Sequence, residues 1–236
     1  MEQIYTIPVN EAFERGQEDE TRGCPFCRLH RSLELNELDL ILGASMMEPD
    51  IRKKTNEKGF CPDHYGMMMK RGKRLPLALI LQSHLPEIDS KMKKPGITPA
   101  ISGGQSAKGL AEISKSCYIC ERVESNFSKM IETAAILWET DPDFKYKCAA
   151  QPYFCLPHFA RYLSAAKSLM KSKTYGEFYK SVYKKEEKVL EGLQDKIDRF
   201  AKSFDYRYAK EPWDDAKRAI EDTMPVLNGT DCSDDE

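Results

Sequence analysis

The sequence predicts an all-α fold, and three observations lead to this prediction. Apolar residues recur at spacings of three and four along several long segments, which is the pattern of one buried helix face. Strand-like sequence is confined to Ile4–Val9, where Pro8 would restrict a strand to a sheet edge or an extended arm. Paired cysteines and histidines divide the chain into two similar parts. We therefore expect two duplicated helical halves, the second of which ends in long C-terminal helices.

The apolar stripes place the helices along the chain. The clearest stripe extends from Val123 to Trp138, and its spacing predicts a helix of more than four turns. The last helix is expected to end before Pro225, since proline lacks the amide that continues a helix. The expected helices cover residues 28–42, 75–92, 121–139, 157–171, 174–204 and 212–223.

A change in composition separates the two halves. Residues 94–110 read KPGITPAISGGQSAKGL, and their prolines, glycines and serines predict a flexible linker. This leaves a first half at 1–93 and a second half at 111–225. The acidic tail, 226–236, is expected to be disordered because it has little apolar surface to bury.

The two halves repeat the same arrangement of cysteine and histidine. In the first half, 33 residues separate Cys24-x-x-Cys27 from Cys61-x-x-His64. In the second half, 34 residues separate Cys117-x-x-Cys120 from Cys155-x-x-His158. Aligned Glu-Pro-Asp and Asp-Pro-Asp triplets lie between the pairs of each half. The simplest explanation is an internal duplication.

Three cysteines and one histidine in two x-x spaced pairs are typical of a closed zinc site. Zn²⁺ prefers four ligands in a tetrahedron, and two ligands three positions apart can chelate one ion from the first turn of a helix. Such a site leaves no position open for water or substrate, so it is structural rather than catalytic. The sequence therefore predicts two structural Cys₃His zinc sites, whose eight ligands are Cys24, Cys27, Cys61, His64, Cys117, Cys120, Cys155 and His158.

Two questions about these sites stay open in the sequence. An iron–sulfur cluster is the main alternative to zinc, because clusters with three cysteines and one histidine are chemically feasible. The pairing is also open. We assume that each site takes its ligands from one half, but an exchange that joins Cys24 and Cys27 to Cys155 and His158 would also complete both sites. His30, His84, Cys148 and Cys232 are expected to be packed or incidental rather than ligands.

The charge distribution suggests a second kind of contact. The net charge is only −2, yet residues 52–108 contain 12 lysines and arginines against 4 acidic residues. A basic stretch at 52–94 can face nucleic acid or an acidic partner, or simply be a solvated surface. The candidate contacts to an anionic partner are Arg52, Lys53, Lys54, Lys70, Arg71, Lys73 and Arg74.

Several function classes find no support in the sequence. The familiar nucleotide-binding, hydrolase and metalloprotease motifs are absent, and we find no catalytic set of residues. No apolar run is long enough to span a bilayer, and the N-terminus does not resemble a signal peptide. A cytoplasmic location follows, where thiols stay reduced and eight cysteines favour metal or redox chemistry over disulfides.

The opening segment IYTIPVNEAF at residues 4–13, the CPFC at 24–27 and the block GFCPDHY at 59–65 resemble an uncharacterised family of bacterial proteins. The resemblance covers most of the chain and is sharpest over residues 4–85. It implies a bacterial cytoplasmic protein, and it carries no catalytic residue over, because the family has no assigned activity.

Together these observations predict a non-catalytic, zinc-binding helical protein of unknown biological role that acts through a protein partner. An iron–sulfur or thiol redox protein is the second hypothesis. A nucleic-acid-binding regulator that uses the 52–94 stretch is the third, and it is less favoured because the aromatic residues lie in apolar stripes rather than among the basic residues.

Overall fold

The computed structural model describes residues 3–18, 23–93, 98–208 and 212–229, with the backbone alone at residue 3 and at 15–18. These residues form eleven α-helices, and none of them lies in a β-strand. The predicted all-α class is therefore confirmed. The helices are α1 Thr6–Glu18, α2 Pro25–Ile41, α3 Pro49–Lys58, α4 Pro62–Lys70, α5 Arg74–Met92, α6 Pro99–Ser114, α7 Tyr118–Thr140, α8 Pro142–Ala149, α9 Leu156–Leu169, α10 Ser172–Lys202 and α11 Ala219–Asn228. One short 3-10 helix precedes α1 at Gln3–Tyr5, and three others lie between α-helices, at Ala44–Met47, Tyr206–Tyr208 and Asp214–Ala216.

The two ends of the described chain differ from the expected structure. Ile4–Val9 is a 3-10 turn that continues into α1, and Pro8 fits there because it lies in the first helical turn, where its missing amide has no partner to lose. At the other end α11 continues through Pro225 to Asn228 instead of ending before the proline. Gly229, with φ +88°, follows the helix and donates its amide to Pro225 O at 2.9 Å.

The segment predicted to be a flexible linker is largely helical. Residues 94–97 lie outside the described part of the chain, but α6 covers Pro99–Ser114. Thr98 caps this helix, since its side-chain oxygen accepts a hydrogen bond from the amide of Ile101. Pro99 then occupies the first turn, where proline is well tolerated. The helix start that Thr98 and Pro99 favour therefore outweighs the low helix propensity of the glycines, which had predicted a linker. The expected disordered tail begins inside α11, and residues 230–236 lie outside the described residues.

The chain forms two compact units that do not coincide with the two sequence halves. The first unit consists of residues 1–31 and 127–236, and the second consists of residues 32–126. The boundaries fall inside helices, between Arg31 and Ser32 in α2 and between Asn126 and Phe127 in α7. The second unit is therefore inserted into the sequence of the first.

The first unit has an aromatic core. Phe26 of α2 is fully buried, and its ring centroid lies 5.0 Å from Tyr162 of α9 and 5.8 Å from Phe154. Phe13 of α1 packs on Phe144 of α8 with centroids 4.7 Å apart. Edge and tilted ring contacts of this kind add specific attraction to the burial of large apolar surfaces.

The second unit has a smaller, mainly aliphatic core. Leu38 and Ile41 of α2 are buried with Met68 of α4, Ile80 of α5 and Ile119 of α7.

Among the described residues, no helix combines the length and apolarity that a bilayer crossing requires.

Candidate metal centres

All four ligand pairs lie at the N-termini of helices. The first residue of each pair directly precedes a helix, and its second residue falls in the first turn. The pairs are Cys24 and Cys27 at α2, Cys61 and His64 at α4, Cys117 and Cys120 at α7, and Cys155 and His158 at α9. A helix N-terminus carries partial positive charge and unpaired amides, so it favours thiolate anions. All four pairs therefore have the arrangement in which two ligands can chelate one ion from the first turn of a helix.

The structure brings the eight predicted residues together in two clusters, and the pairs are exchanged between the halves. The first cluster, called the first site below, contains Cys24, Cys27, Cys155 and His158. The second cluster, called the second site, contains Cys61, His64, Cys117 and Cys120. The arrangement differs from the one we assumed, in which each half supplies its own site. Each site lies within one compact unit, the first site in the first unit and the second site in the second.

The four ligand atoms of the first site lie close together. Cys27 Sγ is 3.6 Å from Cys155 Sγ and 3.4 Å from His158 Nδ1. His158 Nδ1 is also 3.1 Å from Cys155 Sγ and 3.9 Å from Cys24 Sγ. The imidazole therefore directs Nδ1 toward all three sulfur atoms.

The second site has the same geometry. His64 Nδ1 lies 3.1 Å from Cys61 Sγ, 3.3 Å from Cys117 Sγ and 3.4 Å from Cys120 Sγ. Cys61 Sγ and Cys120 Sγ are 3.8 Å apart. A tetrahedron with zinc bond lengths separates two sulfur atoms by about 3.8 Å and a sulfur from a nitrogen by about 3.6 Å. Both sites therefore have the donor atoms and the spacing to hold one metal ion.

The first site is enclosed by aromatic rings and by the end of the described chain. The rings of Phe127 and Phe26 lie 5.0 and 6.2 Å from His158 between centroids. Gly229 also lies against the site, where a Cβ atom would be 3.4 Å from Cys27 Sγ and 3.6 Å from Cys155 Sγ. Gly229 therefore lies over these two sulfur atoms.

The second site is supported by contacts to its histidine and to the turn before Cys61. Glu34 Oε1 of α2 lies 3.2 Å from His64 Nε2, on the side of the ring away from the sulfur atoms. A carboxylate at this position fixes the tautomer and orientation of a ligating imidazole. Gly59, with φ +62°, accepts a hydrogen bond from the amide of Tyr118 at 3.0 Å, which ties the turn before Cys61 to the start of α7.

Comparison with protein families gives one result, over nearly the whole chain. Residues 1–234 match the family described as a family of unknown function, DUF6062. The chain belongs to this family. Comparison with curated proteins finds no match, and comparison with solved structures finds none either. The expected resemblance to an uncharacterised family is therefore confirmed, and DUF6062 membership assigns no activity to the site.

Electrostatics differ between the two sites of this DUF6062 protein. In the second site, burial opposes the charge on His64, but hydrogen bonds with Cys117 and Glu34 raise its pKa to about 10. Burial also opposes the Cys117 thiolate, but the hydrogen bond with His64 lowers the pKa of this thiol to about 6. In the first site, burial raises the pKa of Cys24 well above its ordinary value. A cation that binds there must displace protons from the thiols, because it is the thiolate that coordinates metal.

The basic stretch is only partly available to an anionic partner. Arg52 donates to Ser83 Oγ at 3.1 Å and to the carbonyls of Met46 and Leu79, so its guanidinium holds α3 and α5 together. Arg71 and Lys73 both lie 3.8 Å from the carboxylate of Asp39. The side chains of Lys53, Lys54, Lys70 and Arg74 are exposed.

Two residues that contribute to the sites carried no signal in the sequence. Glu34 is one of several acidic residues on α2, and its proximity to His64 depends on the fold of the second unit. Gly229 lies in the predicted acidic tail, and its contact with the first site requires α11 to continue past Pro225. The other histidines and Cys148 are not in either cluster. His84 is a buried core residue whose Nδ1 lies 2.8 Å from Asn56 O, and His30 packs against the ring of Phe127.

Proposed function

We propose that this protein is a non-catalytic helical module built around two structural zinc ions, which acts in the cytoplasm by binding a protein partner. The observation that carries the zinc assignment is the pair of closed ligand sets, each with three Sγ atoms and one Nδ1 within 4.8 Å of one another. Four protein ligands fill the shell of Zn²⁺ and leave no position for substrate.

The ligand spacing favours a single ion over an iron–sulfur cluster. A cluster places several iron atoms and sulfides between its ligands, so the ligands stand farther apart than they do around one ion. Cys27 and Cys155, at 3.6 Å, and Cys61 and Cys120, at 3.8 Å, have the separation of ligands that share one tetrahedral ion.

Metal analysis of the purified protein tests this assignment. We expect two zinc ions per chain, and we expect a strong chelator to abolish the helical circular dichroism, because binding of structural zinc contributes about 10–16 kcal/mol in zinc-finger peptides. A protein without stoichiometric metal that keeps its helicity in chelator would show that the assignment is wrong. A brown protein that absorbs at about 400 nm would indicate an iron–sulfur cluster instead.

The proposed partner surface is an apolar stripe on α11. Ile220, Met224 and Leu227 are 45%, 60% and 43% exposed, and their spacing of four and three places them on one side of the helix. Ala219 and Val226 face inward and are buried. Exposed apolar residues grouped in this way are typical of protein interaction sites.

Charge indicates the chemistry of the partner. Residues 211–236 contain nine acidic residues against two basic ones, so this end of the chain favours a partner with an apolar segment flanked by lysine or arginine.

Crosslinking in cells tests the proposed surface on α11. We expect the crosslinked complex with the partner to disappear when Met224 and Leu227 are both replaced by glutamine. The matched control replaces Leu75 and Leu85, which are exposed on α5, and should retain the complex. Loss of the complex in both variants, or in neither, would contradict the assignment to α11.

A further inference from the structure

The two candidate metal sites differ sharply in their accessibility. In the first site all three cysteines are buried, and Gly229 lies over the sulfur atoms of Cys27 and Cys155. In the second site Cys120 is exposed and Cys61 is partly exposed, whereas Cys117 is buried. The contact between Cys61 Sγ and Cys120 Sγ lies at the surface, whereas the corresponding contact between Cys27 and Cys155 is buried.

We propose that the second site is a redox-sensitive site, in which a peroxide oxidises Cys120 and Cys61 to a disulfide and the zinc ion leaves. This inference rests on the two-zinc function proposed above and assigns a regulatory role to one of its sites. Under the same conditions the first site keeps its zinc, since its three cysteines are buried and Gly229 lies against two of their sulfur atoms.

The chemistry starts at Cys120 because its sulfur combines exposure with thiolate character. A thiol that coordinates zinc is deprotonated, and the thiolate is the nucleophile that attacks peroxide. Cys120 also lies in the first turn of α7, where the positive end of the helix dipole favours the anion. Exposed thiolates of this kind are the cysteines that oxidise selectively.

Two steps complete the oxidation. The Cys120 thiolate attacks one oxygen of hydrogen peroxide, the O–O bond breaks, and a sulfenic acid and hydroxide form. The Cys61 thiolate, 3.8 Å away, then attacks the sulfenic sulfur and displaces a second hydroxide, so the S–S bond forms. The two sulfur atoms lose two electrons, the peroxide gains them, and two protons from solvent convert the hydroxides to water.

Loss of these two ligands leaves only Cys117 and His64 at the second site. Two ligands cannot complete the tetrahedral shell, so the ion is released. The new disulfide then joins the start of α4 to the first turn of α7 in place of the metal. A thiol reductant reverses the oxidation and restores both ligands.

Zinc release under peroxide tests this proposal with the full-length, zinc-loaded protein. A chromogenic chelator reports released zinc, and peptide mass mapping identifies oxidised cysteines. We expect one of the two ions to be released about tenfold faster than the other, together with a disulfide between Cys61 and Cys120 and unmodified Cys24, Cys27 and Cys155. Equal release of both ions, or a disulfide between Cys117 and Cys120 instead, would overturn the proposal.

A matched pair of variants separates reactivity from metal binding. Cys120→His keeps a zinc ligand but removes the reactive thiol, so it should abolish the fast release of zinc. Cys148→Ser removes a buried thiol that belongs to neither site and should leave the fast release unchanged. If Cys120→His still releases zinc quickly, the proposal is wrong. Untreated protein that contains no zinc would instead overturn the proposed function, and this inference with it.

Discussion

Cys27 and Cys155 lie with their sulfur atoms 3.6 Å apart although they are 128 positions apart in the chain. The first site therefore closes a long loop, and that loop contains all four residues of the second site. An ion bound at the first site would hold the two ends of this loop together. Bringing the ends of a long loop together has an entropic cost, which the metal–ligand bonds would offset. The two sites are nested in sequence, which explains why a compact unit at 32–126 is inserted into the other one.

Paired substitutions should distinguish exchanged ligands from ligands that belong to one half. Cys27→Ser and Cys155→Ser fall in the same site, so the double variant should retain one zinc ion per chain, as each single variant does. Cys27→Ser combined with Cys61→Ser affects both sites, so that double variant should retain none. Zinc content of the purified proteins measures each result.

Cys148→Ser is the control for these variants, because Cys148 is buried and belongs to neither cluster. It should keep both ions. If each half supplied all four ligands of its own site, the result would be reversed. The Cys27 and Cys61 double variant would then lose one ion, and the Cys27 and Cys155 double variant would lose two.

The sequence predicted six of the eleven described helices and the eight residues that cluster in the two sites, because the signals for both are local. Helical periodicity is a local property of the sequence, and an amphipathic helix forms wherever its apolar face is buried. The spacing of Cys61 and His64, three positions apart, is equally local. The pairing of Cys27 with Cys155 is not local. Both arrangements satisfy the same ligand count, and only the packing of α2 against α9 in the first unit distinguishes them.

The errors at the predicted linker and at Pro225 also have physical causes. Glycines at 103 and 104 lower helix propensity, but Thr98 caps the helix and a neighbouring helix, α5, packs against it. Pro225 lies inside α11, which packs against α9 and α10 and has Ala219 and Val226 buried. Tertiary burial outweighs local propensity in both places.

Gly59 is required by its backbone angle and by a buried neighbour. It has φ +62°, and an added Cβ would lie 2.9 Å from Nε2 of His84, whose ring is held by its contact with Asn56 O. We expect Gly59→Ala to lower the free energy of unfolding by about 2–4 kcal/mol, which combines backbone strain with the displaced ring. Urea denaturation of the zinc-loaded protein measures the change.

Gly72→Ala is the matched control for Gly59→Ala. Gly72 also has a positive φ, +69°, but its Cβ would meet none of the described residues within 4 Å. This variant should show the backbone strain alone, about 1 kcal/mol. Equal losses in the two variants would show that His84 does not restrict position 59.

Glu186 should make stability depend on pH in a defined window. Burial of this α10 residue raises the pKa of its carboxyl from 4.5 to about 7, and the carboxyl accepts the amide hydrogen of Phe154 at 2.9 Å. The folded protein therefore binds this proton more tightly than the unfolded chain does. The contribution of Glu186 to the free energy of unfolding is largest below pH 4.5 and falls by up to about 3 kcal/mol as the pH rises to 7.

Glu186→Gln should remove this dependence while keeping an oxygen that can accept from Phe154. We expect the variant to gain stability relative to the wild type as the pH rises from 4.5 to 7, in urea denaturation at a series of pH values. Lys185, whose pKa burial lowers to about 8, stays in both proteins. For Glu187→Gln, at the exposed neighbouring position, the curve of unfolding free energy against pH should run parallel to that of the wild type. Parallel curves for Glu186→Gln as well would contradict the predicted shift.

Glu34 should strengthen metal binding at the second site without touching the metal. Its carboxylate lies 3.2 Å from His64 Nε2, so it holds the ring with Nδ1 directed at Cys61, Cys117 and Cys120. Removal of such a supporting carboxylate typically weakens metal affinity about 10–100-fold. We therefore expect Glu34→Gln to weaken zinc binding at the second site by that factor, measured by competition with a chromophoric chelator.

The first site provides an internal reference for the Glu34 experiment, because His158 belongs to a separate cluster and its affinity should not change. Glu112→Gln, an exposed position on α6, controls for the loss of one negative charge in the same unit. A general electrostatic effect would weaken the second site equally in both variants. A specific positioning effect requires that Glu34→Gln weakens zinc binding at the second site and that Glu112→Gln does not. Glu34→Asp keeps the charge on a shorter side chain, so its affinity should lie between those of Glu34→Gln and the wild type.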